Sequence, residues 1–509
     1  MKHARLLAAL LLTGGGLAAQ DLVSLERRGG ITRDFFNLGA AAAGFDGITA
    51  EYGFDYYVVA YTMDNLAGER DTVSGLLSVP TPNGGLVFPR LVSQHGTTQT
   101  SADVPSATDI DFADLANSPI DVSVVYATQG YVTFAPDFLN MGLDGDGFHP
   151  YVNAETEALA AVRMIQALEA DSLYRSLVHT SDQLFVTGYS QGGHASMALH
   201  ELLVEDADLA ADFDVTAAAH MSGPYSLSEV MLDEVILRDS TYLFVGFVPY
   251  TLLALQAAYP ELERDLAALF RPAVVPLVER FRDEWQAGTY PLNAFTEELA
   301  RAIGRLDPAT GDTIVYPYEM FTAAFEAELR DSADGPWREA LRRNDTYDFA
   351  NPTPTRLYYC VGDDLVTYRN AVAAADSLAG LGAAATEAVR LDTDAEPLGH
   401  GPCAEPAIRA SIAFFDTLAD FAIVDATRDP LPGRVDWVHA GQTLRVDTEG
   451  DAADAYALHI VDALGRELLR RPGYRPGEVA DLAALPRGFA VARLTDARGR
   501  SAARALVLR

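Results

Sequence analysis

Short, continuously apolar segments alternate with longer amphipathic segments between about residues 49 and 420 of this 509-residue chain. Such short apolar runs are typical of parallel strands that are covered on both faces. The runs are "PRLVSQHG" (89–96), "YVTFAPD" (131–137), "QLFVTGY" (183–189), "VTAAAHMSG" (215–223), "TRLYYCVG" (355–362) and "EAVRLDTD" (387–394). The alternation predicts an α/β fold with a doubly wound, mostly parallel sheet. Two earlier runs, "DYYVVAYTM" and "DTVSGLLSVP", flank a turn and predict an antiparallel pair.

The alternation is interrupted at residues 226–350, which carry helical patterns but no good sheet strand. We interpret this segment as a helical cap over the ligand-bearing edge of the sheet, the alternative being a separate small domain. A turn-rich linker follows at 427–434, and short β-type segments continue from there. The predicted organisation is therefore an α/β body at 21–426, which contains the cap, and a linker with a small all-β sandwich at 427–509.

The chain is strongly acidic, with a formal net charge of −35. A surface of this kind repels nucleic acids and anionic membranes, so nucleic-acid binding is excluded as a function. The first 20 residues combine basic side chains, an apolar stretch and small residues, which is the layout of a secretory signal peptide; the alternative is an N-terminal core helix. The apolar stretch at 241–259 is interrupted by Pro249 and predicts a cap or core helix rather than a membrane span.

One predicted strand-to-helix junction carries the sequence "GYSQG" at 188–192. A G-x-S-x-G motif in this context holds its serine on a sharp turn above the sheet, and leaves the next main-chain N–H free to bind an oxyanion. A five-residue match alone occurs by chance, but here an apolar strand precedes Gly188 and a run of small residues follows. Ser190 is therefore the predicted nucleophile, and Gln191 the predicted oxyanion donor.

A serine nucleophile needs a histidine base. His194 is near in sequence, but it lies one turn into the following helix and is not expected to reach Ser190. His400 lies in a Gly-Pro loop between the last predicted strand and the last predicted helix, where the base of this motif belongs.

The carboxylate that orients the base should follow an earlier strand. Asp363 and Asp364 both come directly after the strand at 355–362. Asp363 is preferred because it precedes Val366 by three residues, a D-x-x-V spacing common in this loop, and Asp364 is the alternative.

The second oxyanion donor should come from the loop after the strand at 89–96. Gly96 lets the main chain approach closely there, so the N–H of Thr97 is the predicted donor. His95 is interpreted as structural.

The two cysteines of the chain, Cys360 and Cys403, lie three residues before Asp363 and three residues after His400. In an exported protein this pairing predicts a disulfide that ties the two loops together; two buried thiols are the alternative.

The segment "LDGDGFHPY" places Asp144, Asp146 and His149 close together. It lacks a third acidic ligand at regular spacing and the closing glutamate of a calcium loop, so we interpret it as a structural turn. No metal and no organic cofactor is predicted.

These motifs together resemble the secreted lipase/esterase branch of the α/β-hydrolase superfamily with a helical cap. The resemblance covers about residues 50–420 and rests on "QHGTT", "YVTFAPDFLNMG", "HPYVNAETEA", "GYSQGGHA", "MSGPY", "GDDLVTYRNA" and "GHGPC". It implies hydrolysis of a small-molecule or lipid ester through an acyl-enzyme on Ser190, with Asp363 and His400 completing the triad and no cofactor. A serine peptidase or amidase, or a non-catalytic surface-binding protein of the same fold, are the alternatives. The loop "LNMG" departs from the glycine-rich "GxG" usual in the family.

The C-terminal segments resemble the sorting domain of the type IX secretion system, on the strength of "IVDALGREL", "LAALPRGFAVARL" and the final "ALVLR". Phe489 replaces the usual tyrosine. The resemblance implies secretion machinery as a partner and a secreted or cell-surface location, the alternative being a carbohydrate-binding or adhesive module. The sequence predicts no particular oligomeric state.

Overall fold

A computed structural model describes most of the chain and leaves short gaps. The described residues are 22–39, 47–83, 86–110, 120–145, 147–306, 310, 313–332, 334–383, 385–423, 435–440, 442–448, 456–462, 467–496 and 501–508. The predicted signal peptide and the predicted linker at 427–434 lie outside these residues.

The described residues form nineteen strands. In chain order these are β1 (Leu22–Ile31), β2 (Gly53–Asp64), β3 (Arg70–Thr81), β4 (Leu86–Gln94), β5 (Val132–Pro136), β6 (His179–Tyr189), β7 (Val215–Met221), β8 (Arg305–Leu306), β9 (Thr313–Ile314), β10 (Thr355–Tyr359), β11 (Thr386–Arg390), β12 (Ala422–Ile423), β13 (Val435–Ala440), β14 (Thr443–Thr448), β15 (Tyr456–Asp462), β16 (Glu467–Tyr474), β17 (Val479–Asp481), β18 (Gly488–Thr495) and β19 (Ser501–Leu508).

Ten strands form the central sheet, in the order β1-β2-β3-β5-β4-β6-β7-β10-β11, with β12 paired to β4. Six neighbouring strands of the sheet run parallel to one another: β5, β4, β6, β7, β10 and β11. Strands β1, β2, β3 and β12 pair antiparallel with their neighbours. The predicted parallel sheet and the predicted antiparallel pair, β2 and β3, are thus present. Strand β1 was not predicted from the sequence.

Strand β6 shows why the central strands are continuously apolar. Leu184, Phe185 and Val186 are all fully buried. Successive strand side chains point to opposite faces, and Phe185 belongs to a different core cluster from its two neighbours. Both faces of the sheet are therefore covered by helices, as a parallel sheet requires.

The helices are α1 (Arg33–Gly39), α2 (Val124–Thr128), α3 (Ala154–Ala170), α4 (Ser172–Leu177), α5 (Gln191–Glu205), α6 (Ala207–Asp212), α7 (Phe247–Ala258), α8 (Leu266–Leu269), α9 (Val275–Glu284), α10 (Leu292–Ile303), α11 (Ala323–Asp331), α12 (Pro336–Arg343), α13 (Arg369–Gly380) and α14 (His400–Phe415). Helices α3 and α5 share one core with the sheet, and α2 and α14 pack into the core on the opposite face. No helix of the described residues is long and apolar enough to cross a membrane.

The predicted cap is a helical insertion between β7 and β10. It contains a π-helical segment, Leu227–Ile236, followed by helices α7 to α12 and the two-residue strands β8 and β9. The carboxylate of Asp345 accepts hydrogen bonds from the N–H groups of Leu227 and Ser228, at 2.7 and 3.0 Å, and so caps the start of the π-helical segment. The cap core is continuous with one face of the body core.

Strands β13 to β19 form the C-terminal all-β region. Two sheets, β13-β14-β17 and β16-β15-β18-β19, contribute side chains to one core, which includes Leu444, Leu458 and Leu494. Alternation of buried and outward-facing residues along the strands is typical of a small sandwich. The predicted fold class is confirmed for both parts of the chain.

Candidate active site

The carboxyl ends of the central parallel strands are aligned at one edge of the sheet. Gln94 of β4 pairs with Gly188 of β6, Gly188 pairs with His220 of β7, and Met221 pairs with Tyr358 of β10. The loops that follow these strands therefore emerge side by side. Ligand sites of open α/β sheets lie at this edge.

The turn between β6 and α5, which we call the nucleophile turn because it carries Ser190, is tight and strained. Ser190 has a φ of +62°, an unusual conformation for a residue with a side chain. A Cβ atom at Gly188 would lie 2.1 Å from the carbonyl oxygen of Gly192, and one at Gly192 would lie 2.0 Å from that of Gln94. Only glycine fits at both positions, so the two glycines of the motif let the turn close while Ser190 is held above the sheet.

Three predicted site residues meet at this edge. Ser190 Oγ lies 2.8 Å from His400 Nε2, and His400 Nδ1 lies 2.8 Å from Asp363 Oδ2. A carboxylate accepts hydrogen bonds only, so the proton of the neutral imidazole belongs on Nδ1, and Nε2 presents a lone pair to the serine hydroxyl. His400 is the first residue of α14 rather than part of the preceding loop.

The two candidate acids have different partners. Asp363 Oδ1 accepts hydrogen bonds from the N–H groups of Leu365 and Val366, at 3.0 and 2.8 Å, which aims its other oxygen at the imidazole of His400. Asp364 instead accepts from the main-chain N–H of His400, at 3.0 Å. The predicted D-x-x-V spacing thus corresponds to a turn in which Asp363 caps the N–H of Val366.

A second buried carboxylate, Asp392, holds the loop between β10 and α13, which we call the acid loop because it carries Asp363 and Asp364. It accepts hydrogen bonds from the N–H groups of Val361 and Gly362, both at 3.0 Å, and from that of Leu398, at 3.1 Å. Burial alone would raise the pKa of Asp392, but these hydrogen bonds and the Arg390 guanidinium hold that pKa well below its ordinary range. Asp392 lies two residues past the end of β11 and was not predicted from the sequence.

Cys360 and Cys403 form a disulfide, as predicted. Both residues are fully buried. The bond ties the loop that carries Asp363 to the start of the helix that carries His400.

His194 does not approach Ser190 with its side chain. Its Nδ1 lies 2.8 Å from Glu157 Oε2 and its Nε2 lies 2.8 Å from the carbonyl oxygen of Asn344, both of which are acceptors. Burial alone would lower the pKa of His194, but the hydrogen bond to Glu157 and the charge of that carboxylate outweigh it and raise the pKa. Because both ring nitrogens face acceptors, both must donate, which requires the imidazolium form of His194 in a fully buried ion pair with Glu157.

Glu157 was not predicted from the sequence as a site residue. The position of Glu157 on α3 could have identified it, because this charged residue lies on the apolar face of the helix. It shares that face with Ala161, Met164 and Leu168, all of them buried. A buried glutamate requires a partner. Only the folded chain shows that this partner comes from α5.

Gln191 directly follows Ser190, and the loop that carries Thr97 lies against the turn that carries Ser190. Gln191 is the first residue of α5, and the first N–H groups of a helix have no partner within it. A Cβ atom added to Gly96 would lie 3.6 Å from Ser190 Cβ, which places the loop containing Thr97 against the nucleophile turn. His95 packs instead with Nδ1 2.8 Å from the carbonyl oxygen of Gly96 and Nε2 3.2 Å from that of Asp137.

The described residues of the segment "LDGDGFHPY" make local hydrogen bonds beside the site. Asp144 accepts a hydrogen bond from the N–H of Asn140, at 2.7 Å, and His149 Nδ1 lies 2.9 Å from the carbonyl oxygen of Leu139. Asp146 lies outside the described residues. Among the residues that the structure describes, no group of three acidic, histidine or cysteine side chains is arranged to hold a metal ion.

A cavity lies between the cap and the sheet edge and reaches Ser190, with about 760 Å³ of empty space that includes its opening to solvent. The part of its wall that the structure describes contains no charged side chain. Apolar residues of the cap and of the acid loop form most of this wall: Leu227, Met231, Leu232, Ile236, Phe247, Val248, Leu252, Phe321, Leu329, Leu341, Leu365 and Val366.

Two further histidines, one on α5 and one on β7, are buried between these two elements, and neither is among the residues that line the cavity. Ser196 Oγ lies 2.7 Å from His220 Nδ1, and His220 Nε2 lies 3.3 Å from His200 Nδ1. All three side chains are fully buried. Burial lowers the pKa of His200 to about 3 and the pKa of His220 well below its ordinary value, so both rings are neutral at pH 7.

Acidification from pH 7 to pH 5 is therefore expected to destabilise the α/β body. The pKa of His200 is lower in the folded state than in the unfolded state, where it is about 6.5, so the unfolded state takes up protons first. The stability contributed by neutral His200 is complete above pH 6.5 and is lost as the pH falls towards 3, by up to about 1.4 kcal/mol per pH unit. Urea midpoints at pH 7, 6 and 5 should fall less steeply for His200→Phe, whose ring can pack on Phe349, than for the wild type. Equal slopes would contradict the assignment.

The fold and the meeting of a serine, a histidine and an aspartate at one sheet edge define the class: the chain has the α/β-hydrolase fold. No protein-family model and no curated protein sequence matches it. Among solved structures it is similar to the ligand-bound rice cell wall degrading esterase LipA from Xanthomonas oryzae, at 24% identity and a TM-score of 0.63, over 79% of this chain and 98% of that one. It is also similar to a Legionella pneumophila protein, at 24% identity and a TM-score of 0.64 over 78% and 98% of the two chains. Candida antarctica lipase A in its closed state follows, at 14% identity and a TM-score of 0.55 over 79% and 82%.

Proposed function

We propose that this protein is a serine hydrolase that cleaves carboxylic esters with apolar acyl groups. The observation that carries the proposal is the hydrogen-bonded series from Asp363 through His400 to Ser190, at 2.8 Å for each contact, beside an uncharged cavity. The similarity to one esterase and one lipase supports the same reaction class.

The geometry suits attack by Ser190 Oγ on an ester carbonyl carbon. His400 Nε2 takes the hydroxyl proton as the carbon–oxygen bond forms, and Asp363 stabilises the imidazolium that results. The main-chain N–H groups of Gln191 and Thr97 donate to the oxyanion of the tetrahedral intermediate. The intermediate expels the alcohol, which takes the proton from His400, and leaves an acyl group on Ser190. Water, activated by the same histidine, then releases the acid and restores the serine.

A fluorophosphonate probe tests the nucleophile directly. We expect it to label the wild type and not Ser190→Ala. Ser222→Ala is the matched control, because Ser222 follows the neighbouring strand β7 and also has a positive φ, of 43°. An unlabelled wild type, or equal labelling of Ser190→Ala, would favour a non-catalytic surface-binding protein instead.

The cavity predicts how the rate depends on the acyl chain. Each buried methylene contributes about 0.8 kcal/mol, so kcat/KM for p-nitrophenyl esters should rise about fourfold per methylene from C2 until the cavity is filled. Aminoacyl-anilides should be poor substrates, because the described cavity wall offers no acidic side chain to a substrate amine. A flat ester series, or faster cleavage of the anilides, would favour the peptidase alternative.

We also propose that the protein is exported and that residues 427–509 act as a type IX sorting domain. The buried disulfide supports export, since disulfides persist in oxidising compartments. Fractionation of the native host should place the full chain outside the outer membrane, and a chain that ends at residue 426 in the periplasm. Cytoplasmic recovery of the full chain would overturn the proposal.

A further inference from the structure

We infer that one loop, residues 147–153, positions both of the groups predicted to bind the oxyanion. Tyr151 OH lies 2.9 Å from Thr97 Oγ1, and His149 Nε2 lies 3.0 Å from Gln191 Nε2. Tyr151 and His149 are thus positioning residues that act through Thr97 and Gln191. This inference rests on the proposed function, because it concerns the same reaction.

The hydrogen bonds around His149 have only one consistent direction. Its Nδ1 faces the carbonyl oxygen of Leu139 at 2.9 Å, and a carbonyl oxygen can only accept. The proton therefore lies on Nδ1, and Nε2 accepts from the side-chain amide of Gln191. Burial lowers the pKa of His149 to about 3, so the ring stays neutral and retains this acceptor.

The amide of Gln191 is held at two points. Its Nε2 also donates to Glu157 Oε1, at 2.7 Å, so both of its protons are used. Glu157 accepts in addition from the N–H of Val152, at 3.1 Å, and from His194. The loop and the nucleophile turn therefore share one buried, fully connected hydrogen-bond network. Such a network holds the first peptide of α5 in a single orientation.

A helix of the cap holds in place the side chain of Tyr151, whose hydroxyl contacts Thr97. The ring of Tyr151 stacks on Tyr250 of α7, with centroids 4.3 Å apart and planes 14° apart. Tyr151 is only 5% exposed. Its hydroxyl therefore meets Thr97 from a fixed position. An oxyanion donor must be placed within a few tenths of an ångström to favour the transition state over the bound substrate.

The test uses hydroxyl deletions in the full-length protein. Tyr151→Phe and Thr97→Val each remove one side of the same contact and keep the main-chain N–H of Thr97. Each is expected to lower kcat by about tenfold to a hundredfold with little change in KM, and to weaken a boronic acid inhibitor by the same factor. The double variant should lose no more than either single variant, because the two hydroxyls act as one contact.

His149→Phe tests the other contact. The ring can keep its stacking on Phe138, at 5.9 Å and 11°, while Gln191 loses an acceptor. We expect kcat and boronic acid affinity to fall together, again by about tenfold or more.

Tyr250→Phe is the matched control, since it removes a hydroxyl from the same stacked pair without touching Thr97. It should retain wild-type kcat. Additive losses in Tyr151→Phe/Thr97→Val, or inhibitor affinities that do not follow kcat, would overturn the inference and leave only a structural role. A wild type that fluorophosphonate does not label would instead overturn the proposed function.

Discussion

Replacement of His400 by alanine is expected to lower kcat about 10⁶-fold with only a small change in KM. Its Nε2 is the group within hydrogen-bond distance of Ser190 Oγ, at 2.8 Å, and loss of the base of a serine triad costs about as much as loss of the nucleophile. Steady-state hydrolysis of a p-nitrophenyl ester gives the measurement. The residual activity must come from the oxyanion donors and from substrate binding.

The two adjacent aspartates provide a matched pair for the same prediction. Asp363→Asn should lower kcat about 10⁴-fold, because an asparagine amide can donate to His400 Nδ1 and so favours the tautomer that has no acceptor at Nε2. Asp364→Asn should stay within about tenfold of the wild type, since its remaining carbonyl oxygen can still accept from the main-chain N–H of His400. A larger loss from Asp364→Asn than from Asp363→Asn would reverse the assignment of the acid.

Replacement of Glu157 by alanine is expected to destabilise the α/β body by about 3–5 kcal/mol. Glu157 and His194 are both fully buried, and removal of the carboxylate leaves the imidazolium without a counter-charge. The side chain of Gln191 and the N–H of Val152 lose an acceptor as well. Chemical denaturation followed by near-UV circular dichroism reports the change in the free energy of unfolding.

Glu155→Ala serves as the control for this prediction. Glu155 lies on the same first turn of α3 but is exposed, so its removal should cost at most about 1 kcal/mol through the helix dipole. A Glu157→Ala variant as stable as Glu155→Ala would show that the pair with His194 contributes little. Replacement of both Glu157 and His194 by leucine should recover part of the loss, because no unpaired charge then remains buried.

Local pattern was enough to predict most of the sheet. Strand β6 is continuously apolar because both of its faces are buried, so consecutive residues of the sequence show the pattern. Strand β1 was missed because "LVSLERRGGI" lacks that pattern: most of its side chains are partly or fully exposed at the edge of the sheet. An edge strand is stabilised by its single neighbour β2 rather than by its own apolar residues.

The predicted site residues also differ in how far local sequence pattern could identify them. The nucleophile turn is local, because Gly188, Ser190 and Gly192 together set its geometry, so the sequence alone identified it. His400 and Asp363 could be predicted because the order of the triad along the chain follows from the order of the strands. The choice between Asp363 and Asp364 depends on which carboxylate oxygen the turn directs at the imidazole of His400. The sequence indicated this choice only through the D-x-x-V spacing of Asp363.

The sequence by itself therefore determined the α/β sheet, the strained serine turn, the candidate histidine and aspartate, and the cysteine pair. Tertiary structure alone decided that His194 pairs with Glu157, that His149 and Tyr151 contact Gln191 and Thr97, and that apolar side chains of the cap line the cavity above Ser190. The physical reason is the range of the interactions. The strand pattern and the glycine turn are set by neighbouring residues, and the triad and the disulfide could be predicted from the order of the strands and from there being only two cysteines. The other contacts join side chains that lie from 37 to 54 residues apart, and no motif or count in the sequence pairs them before helices and loops pack on the sheet.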